Sequence, residues 1–394
     1  MKLPRGFLAS GVRSGIRKKR PDLALIVAED GANAAAVFTM NRFQAAPVTL
    51  SRSAMKKSGG RVKVAVINAG CANAVTGKEG MDAARRVRTK AAQVFSCNEQ
   101  EVFMASTGVI GVCLADEKVR QALPDAAIRL SSGGLEAASH AILTTDIGPK
   151  VAQATFHCDG KRGRIVGMAK GAGMIHPNMA TMLAFLMTDA DASPAFLRQA
   201  LAEATSVSFN TISVDGDTST NDCVLLMASG KLGAKTMSAS SGDGEDFKRA
   251  LRQVCRELAW MIVRDGEGAT RVMELEVRGA RNLREAKLAA HAVATSPLVK
   301  TALHGGDPNW GRILAAVGRS GVKFSPGRIS LGAGPVMLVR DGQPTRYQEK
   351  DAAKVFSRER VPVTVDLGAG DASTTLLVSD LSQDYVSLNA DYRS

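Results

Sequence analysis

The segment Met182-Leu-Ala-Phe-Leu-Met-Thr188 is a run of apolar residues that ends in a threonine. A continuous apolar run of this length predicts a strand that is buried on both faces. It directly follows Thr181, and the chain between Gly167 and Gly173 is rich in glycine. Glycine turns at the ends of buried strands are positions where proteins often build functional sites. The start of this strand is therefore a candidate position for such a site.

Strand-like runs alternate with helix-like runs along the rest of the chain. Apolar or alternating residues predict strands over 61–67 and 164–168, while capping residues and helical periodicity predict helices over 81–95, 193 onward, 247–261 and 296–305. This mixture predicts a layered architecture of mixed α and β elements. Two stretches rich in serine and glycine, 131–134 and 238–244, are predicted to be flexible connectors.

The composition is that of a globular protein. The chain has 394 residues, of which 45% are hydrophobic and 23% charged, and this length is enough for two or three domains. No stretch approaches the roughly 18 consecutive apolar residues that a membrane-spanning helix requires. Basic residues are frequent in the first twenty positions, but no apolar segment follows them, so a secretory signal is not predicted. Composition alone leaves a mitochondrial presequence open.

The formal net charge of +13 raises the question of a nucleic-acid partner. The charges are dispersed, however, and only 4% of the residues are aromatic, which leaves few platforms for base stacking. The chain lacks the P-loop pattern and the dinucleotide-binding glycine pattern. None of the six cysteines forms a C-x-x-C pair and no two histidines lie four residues apart. We therefore expect free thiols in a reducing compartment and no metal site.

Polar residues lie in several of the glycine turns. Thr107 precedes Gly108, Lys170 lies within the turn at 167–173, and Glu267 lies between two glycines. Taken alone, a threonine at the start of a strand is usually a packing residue. His176 has no acidic residue near it in sequence, so a turn or packing role is expected for it as well.

The chain as a whole resembles a known family. The segment 170–185 resembles the cleavage-site segment of the ornithine acetyltransferases, which are also called glutamate N-acetyltransferases. Further blocks match in family order, at 6–12, 68–73, 106–111, 144–146, 210–222, 265–270, 306–312 and 389–394. The resemblance covers nearly the entire chain, and it gives Thr181 a catalytic interpretation.

The resemblance implies that the chain cleaves itself between Ala180 and Thr181. The Thr181 hydroxyl would attack the Ala180 carbonyl in an N-to-O acyl shift, and water would open the ester. The freed α-amine of Thr181, with an ordinary pKa of about 7.7–8.0, would then activate the hydroxyl of the same residue. No cofactor is implied, although acetyl-CoA is a further acetyl donor for some members.

The implied reaction moves the acetyl group of N2-acetyl-L-ornithine to L-glutamate by a ping-pong mechanism through acetyl-threonine. It belongs to the cyclic pathway of arginine biosynthesis. The resemblance assigns the oxyanion hole to the Thr107 hydroxyl and the Gly108 backbone N–H. It assigns substrate contacts to Thr144, Lys170, Thr181, Glu267, Asn389 and Ser394. Thr145 is the alternative to Thr144, and Ile147 occupies a position where the family often has threonine.

The family also implies a fold and an assembly. The fold is an αββα-type sandwich like that of self-cleaving aminopeptidases. Cleavage would give an α chain, 1–180, and a β chain, 181–394, in which 181–280 completes the core and 281–394 forms a smaller domain. Two α and two β chains would form a heterotetramer in the bacterial cytoplasm, without a nucleic-acid or membrane partner.

Two alternatives belong to other classes of function. A related self-cleaving aminopeptidase or amidase would use water as the acceptor and would not acetylate glutamate. A basic nucleic-acid-binding protein would bind DNA with an affinity that falls steeply with salt. The match at Lys170, Glu267, Asn389 and Ser394 favours the transferase.

Overall fold

The computed structural model describes residues 1–176, 182–238 and 244–391. The chain divides into two compact units. The first comprises Met1–Asn210 and Asp217–Ile262, and the second comprises Thr211–Gly216 and, among the described residues, the chain from Val263 to Asp391. The second unit includes the strand over 272–280, because this strand pairs with other strands of that unit.

The first unit combines one large sheet with helices. Its strands are β1 (Phe7–Val12), β2 (Leu23–Phe38), β3 (Arg61–Cys71), β4 (Val102–Val109), β5 (Lys150–Cys158), β6 (Lys161–Lys170), β7 (Leu183–Thr188) and β9 (Cys223–Ala228). Its helices are α1 (Ala46–Lys57), α2 (Gly77–Val94), α3 (Asp116–Ile128), α4 (Leu135–Ala141), α5 (Pro194–Ser206) and most of α6 (Glu245–Arg264).

The strands of this sheet do not follow sequence order. The described strands run β4-β3-β2-β9-β7-β6-β5, with β1 paired to β2. The two strands that come after Thr181, β7 and β9, are parallel neighbours in the middle of the sheet. On either side they are bonded to strands that come before Thr181, namely β6 and β2. Every residue of β7 is buried, which confirms the prediction from the apolar run.

Both faces of this sheet are covered, and strand β2 shows how. Leu23 and Leu25 point into a core that includes residues of α2 and α3. Ala24 and Ile26, which alternate with them, point into a second core that includes residues of α4. This alternation follows from the two-residue period of a strand. Burial on both faces explains why β2 begins as an almost continuous apolar run rather than an alternating one.

The segment 131–134 is not the flexible connector predicted from its serine and glycine content. Ser131 exchanges two backbone hydrogen bonds with Ala9 of β1, at 3.0 and 3.1 Å. The backbone of Gly134 lies so close to the Ala9 carbonyl that a side chain would overlap it. The prediction was wrong because the pairing partner lies far away in sequence. Most of the other predicted connector, 238–244, lies outside the described residues.

The second unit is also built around a mixed sheet. Its strands are β8 (Ile212–Ser213), β10 (Val272–Ala280), β11 (Ser330–Ala333), β12 (Val336–Arg340), β13 (Gln343–Pro344), β14 (Arg360–Asp366) and β15 (Ala372–Ser379), in the order β13-β12-β11-β14-β10-β15-β8. Its helices are α7 (Leu283–Ala294), α8 (Pro297–Gly305), α9 (Trp310–Gly318), α10 (Glu349–Phe356) and α11 (Gln383–Asp391). The predicted fold class, mixed α and β, is confirmed.

Local signals set the ends of several helices. Ser193 caps α5 by accepting a hydrogen bond from the Phe196 N–H at 3.2 Å, and Ser296 caps α8 through Val299. Gly306 ends α8 in the left-handed conformation, where glycine has no steric penalty. These boundaries agree with the sequence predictions. Among the described residues, no helix is long and apolar enough to cross a membrane.

Candidate active site

The end of strand β4 has a backbone conformation that requires glycine. Gly108 has a φ of +130°, and a Cβ atom there would lie 2.6 Å from the Cys71 backbone nitrogen and would also overlap Gly70. The ladder between β3 and β4 is irregular at this point, since Cys71 opposes both Thr107 and Val109. Thr107 and Gly108 therefore lie at an irregular end of strand β4, where the register with β3 shifts.

Lys170, the last residue of β6, contacts Thr107 of β4. The ammonium nitrogen of Lys170 donates a hydrogen bond to the Thr107 hydroxyl oxygen at 3.1 Å. Lys170 is 4% exposed and Thr107 is 7% exposed. Because the oxygen accepts from a cation, the hydroxyl proton must point elsewhere, and among the described residues it has no acceptor. Within the described part of the chain, the Thr107 hydroxyl thus keeps a proton that it can donate to a negatively charged oxygen atom.

Asp146 organises the surroundings of Lys170. Its fully buried carboxylate accepts hydrogen bonds from the Lys150 ammonium at 2.7 Å, the Gly171 N–H at 2.7 Å and the Thr144 N–H at 3.0 Å. The Lys170 ammonium lies 4.0 Å from the same carboxylate. Burial alone would raise the pKa of Asp146, but the charges of Lys170 and Lys150 outweigh it and hold that pKa well below its usual value. Asp146 thus stays ionised and links Thr144 to Lys170.

The two adjacent threonines differ in their contacts. The Thr144 hydroxyl lies 3.5 Å from Asp146, and its backbone N–H is bonded to the same carboxylate. Thr144 and Thr145 are both half-buried. Ile147, at the position where the sequence departs from the family pattern, is 87% exposed and so contributes little to local packing.

Asn221 holds the ends of the neighbouring strands β3 and β4 next to Thr107. Its amide nitrogen donates to the Ala72 carbonyl at 2.7 Å and to the Ser106 carbonyl at 2.9 Å. Its amide oxygen accepts from the Thr220 hydroxyl at 2.6 Å. The Ser106 hydroxyl in turn donates to Asn68 at 2.5 Å. The peptide that leads into Thr107 is therefore fixed from two directions.

Asp222, the next residue, holds the start of β7. One carboxyl oxygen accepts the Met182 N–H at 3.1 Å, and the other has no hydrogen-bond partner among the described residues. Asp222 is 1% exposed. Burial raises the pKa of Asp222 well above its usual value, against the opposing effects of the Met182 N–H and the Lys170 charge. The carboxyl group therefore favours its neutral form.

Sequence reasoning gave no role to Asp146, Asn221 or Asp222, although 144–146 and 210–222 were both recognised as family blocks. One signal was available in the sequence. Asn221 and Asp222 come directly before the apolar strand Cys223–Ala228, and polar residues at the end of a buried strand are frequent in functional sites.

Two predicted site residues meet in the second unit. The Asn389 amide donates to the Glu267 carboxylate at 2.8 Å and to the Tyr385 carbonyl at 3.0 Å. Glu267 lies in the turn after α6, and Asn389 lies in α11. The adjacent Gly268, with a φ of +65°, lies close to the backbone at the start of α11, where a side chain would not fit. Thr181, Ala180 and Ser394 lie outside the described residues.

The comparisons with known proteins identify the family. A model described as the ArgJ family matches residues 8–394. The chain belongs to the ArgJ family. One family relative, the arginine biosynthesis bifunctional protein ArgJ of Chlorobaculum tepidum, is 46% identical over 393 residues, which cover 99% of this chain and 96% of the relative. The predicted family resemblance is confirmed.

Two solved structures are also similar. A crystal structure of the arginine biosynthesis bifunctional protein argJ from Bacillus halodurans is 41% identical, with a TM-score of 0.51, and the match covers 53% of this chain and 98% of that chain. An ornithine acetyltransferase complexed with ornithine, from Mycobacterium tuberculosis, is 32% identical with a TM-score of 0.39, over 44% of this chain and 92% of that chain. The first of these supports the mixed α/β fold.

Proposed function

We propose that this protein transfers the acetyl group of N2-acetyl-L-ornithine to L-glutamate in arginine biosynthesis. The observation that carries the proposal is the Thr107 hydroxyl, which Lys170 orients at 3.1 Å and whose proton has no acceptor in the described part of the chain. A preorganised donor of this kind stabilises the oxyanion that forms during acyl transfer. Membership of the ArgJ family supports the pathway.

The nucleophile in this proposal is Thr181 after self-cleavage from Ala180. The Thr181 hydroxyl attacks the acetyl carbonyl, ornithine leaves, and the amine of glutamate takes the acetyl group from the threonine ester. The Thr107 hydroxyl and the Gly108 N–H donate to the oxyanion in both half-reactions. The α-amine of Thr181 carries the proton from the hydroxyl to the leaving amine, since its ordinary pKa of about 7.7–8.0 lies near neutrality.

The solved Bacillus chain supports the cleavage proposal. That chain matches over 98% of its own length, yet the match covers only 53% of this one. A β chain of residues 181–394 would account for a similar share. The sheet of the first unit supports it as well, because β7 and β9 are held between β6 and β2 by hydrogen bonds that do not depend on the Ala180–Thr181 peptide bond.

We assign the substrate contacts by charge. Glu267, hydrogen-bonded to Asn389 at 2.8 Å, is suited to the side-chain ammonium of ornithine. Lys170, with Thr144 linked to it through Asp146, is suited to the α-carboxylate or the acetyl oxygen. Ser394 and Thr181 complete the proposed set. No resident cofactor or metal takes part in the proposed reaction.

A second activity is the acetylation of glutamate from acetyl-CoA. The Chlorobaculum relative carries the word bifunctional in its name, and this favours acetyl-CoA as an additional acetyl donor. The proposed assembly is a heterotetramer of two α and two β chains. We place it in the cytoplasm, where six free cysteines would remain reduced.

The decisive experiment combines intact mass with transfer assays. We expect the purified protein to consist of two fragments whose masses match 1–180 and 181–394, and to acetylate glutamate from N-acetylornithine. Thr181→Ala should give one uncleaved chain without transfer. Hydrolysis of N-acetylornithine without acetylglutamate would support the aminopeptidase-type alternative instead. Replacing N-acetylornithine with acetyl-CoA in the same assay tests the second activity.

A further inference from the structure

Two consecutive residues anchor both sides of the proposed reaction centre. Asn221 binds the Ser106 carbonyl, in the peptide that leads into Thr107, at 2.9 Å. Asp222 binds the N–H of Met182, the residue that follows Thr181, at 3.1 Å. Asn221 therefore holds the strand that carries the proposed oxyanion donor Thr107, and Asp222 holds the start of the strand that follows Thr181. A single peptide bond joins these two residues.

These two anchors are rigid. Asn221 is 4% exposed and Asp222 is buried, and Asn221 has a second anchor on the Ala72 carbonyl at 2.7 Å. The backbone around Asp222 is fixed as well, because its carbonyl accepts the Thr39 N–H at 2.9 Å, while the next N–H, of Cys223, donates to the Met182 carbonyl at 3.2 Å. These hydrogen bonds and the burial of both side chains restrict changes in the separation of the two anchors.

Asp222 places a carboxyl group in the protein interior, where it is 1% exposed and accepts the Met182 N–H. Removing a carboxyl group from water is unfavourable unless its surroundings compensate for the lost hydration. A buried carboxyl group at this position therefore calls for an explanation other than stability. A role in placing reacting groups is such an explanation, because a displacement of about 1 Å can cost a hundredfold in rate.

We propose that Asn221 and Asp222 are positioning residues that set the distance between the oxyanion donors at Thr107 and Gly108 and Met182, the residue that follows the proposed nucleophile. This inference rests on the proposed acyl transfer. Asn221 fixes the donor side through the Ser106 carbonyl. Asp222 fixes the nucleophile side through the Met182 N–H, one peptide unit after the reacting residue. Neither residue has to contact the substrate for this role.

The test compares Asp222→Ala with a matched variant at the other end of β7. Asp189 is also a buried carboxylate that accepts a single backbone N–H, from Arg164 at 2.9 Å, but it follows the last residue of the strand. We expect Asp222→Ala to lower kcat for acetyl transfer by about a hundredfold with little change in KM. Asp189→Ala should lower the melting temperature by a similar amount and leave kcat nearly unchanged.

Two further variants keep the test independent of folding. Asp222→Asn retains an oxygen that can accept the Met182 N–H, so it should restore kcat to within about threefold of wild type. Asn221→Ala should lower kcat like Asp222→Ala. All rates are divided by the fraction of cleaved protein, measured by intact mass. Self-cleavage of freshly translated chains is followed in parallel, and Asp222→Ala and Asn221→Ala should slow it while Asp189→Ala does not.

The outcomes separate this inference from the function it rests on. A wild-type protein that neither cleaves itself nor transfers acetyl groups would overturn the proposed function. If the wild type does both, and Asp222→Ala and Asn221→Ala keep the full kcat and the full cleavage rate, only the positioning role is overturned. Equal losses of kcat in Asp222→Ala and Asp189→Ala would also overturn it, because the effect would then follow stability.

Discussion

The ammonium group of Lys170 donates a hydrogen bond to the Thr107 hydroxyl oxygen at 3.1 Å, although the two residues are 63 positions apart in the chain. A cation on one side of this oxygen makes the hydroxyl proton a stronger donor toward the other side. Lys170 thus contributes to the proposed reaction in two ways, by its charge and by the direction it imposes on Thr107.

The first prediction concerns this hydroxyl group. Thr107→Val keeps the shape of the side chain but removes the donor, so we expect kcat for acetyl transfer to fall by about a hundred- to a thousandfold. Thr107→Ser restores the hydroxyl and should recover most of that loss. Steady-state kinetics with N-acetylornithine and glutamate measure both. Full activity in Thr107→Val would remove Thr107 from the oxyanion hole.

The second prediction concerns the adjacent glycine. Gly108→Ala places a Cβ atom against the backbone of Cys71 and Gly70, which cannot move aside as a side chain could. We expect loss of transfer activity and a lower melting temperature. Gly111→Ala is the control, since it also has a positive φ, of +81°, but nothing lies within 4 Å of its Cβ position. It should cost only about 1 kcal/mol of backbone strain.

The third prediction concerns the charge of Asp146. Asp146→Asn leaves the Lys150 ammonium buried without its carboxylate, and breaking a buried pair in this way costs about 3–5 kcal/mol. Urea unfolding at pH 7 measures this difference. Asp125→Asn on α3 is the control, because its pair with Arg129 is largely exposed to solvent and should contribute less than about 1 kcal/mol.

Asp146 also leads to a prediction about the stability of the protein at acidic pH. The pKa of Asp146 is lower in the folded protein than its ordinary value of 3.8. Its contribution to stability is therefore complete above that value and is lost as the pH falls through it toward the folded-state pKa. We expect the stability difference between wild type and Asp146→Asn to shrink below about pH 4. A difference that stays constant from pH 7 to pH 3 would contradict the assigned charge state.

The fourth prediction concerns Lys300 in the second unit. Its buried ammonium donates to the carbonyl and, at 3.3 Å, to the hydroxyl of Ser379. Burial lowers the pKa of Lys300 to about 8, against the opposing charges of Asp380 and Asp215. An unfolded lysine titrates near 10.4, so the unfolded state binds more protons between these two values. Stability should therefore rise as the pH increases from 8 to 10.

Lys300→Met provides the comparison, because methionine is similar in length and carries no proton. The rise in unfolding free energy between pH 8 and pH 10 should be about 2 kcal/mol larger in wild type than in this variant. Denaturant midpoints at three pH values measure it. Parallel curves for the two proteins would show that Lys300 keeps an ordinary pKa.

The fifth prediction concerns substrate binding. Glu267→Gln keeps the hydrogen bond to Asn389 within reach but removes the negative charge. Since a hydrogen bond to a charged group contributes about 1.5–3 kcal/mol, we expect KM for N-acetylornithine to rise about ten- to a hundredfold. The rate of self-cleavage should not change. An unchanged KM would assign the ornithine ammonium to another residue.

Local rules in the sequence predicted the parts of the fold that depend on neighbouring residues. The apolar run after Thr181 predicted β7, and Ser193 and Ser296 predicted the starts of two helices. Segment 131–134 was predicted wrongly because its partner, Ala9, is more than a hundred positions away. Composition indicates a loop there, but it carries no information on what the loop is bonded to.

In the candidate site as well, some residues could be predicted from the sequence and others could not. The family blocks identified Thr107, Lys170 and Glu267 as site residues. The local sequence around each of them, taken alone, favoured a role in packing or in a turn. Asn221 was missed because its partners, Ala72 and Ser106, are 149 and 115 positions away. Asp146 was missed because its role depends on burial together with two lysines, and a sequence does not show which charges are buried.

The strand order of the first sheet has a consequence for how the protein refolds after the proposed cleavage. Strands β7 and β9 lie between β2 and β6, so the proposed α and β chains are interleaved within one sheet. An uncut chain folds in a reaction of a single molecule. After the cut, a molecule that unfolds becomes two separate polypeptides, and recovery requires their encounter in solution. Refolding of the mature protein should therefore depend on concentration, so that self-cleavage makes thermal inactivation difficult to reverse in a dilute sample.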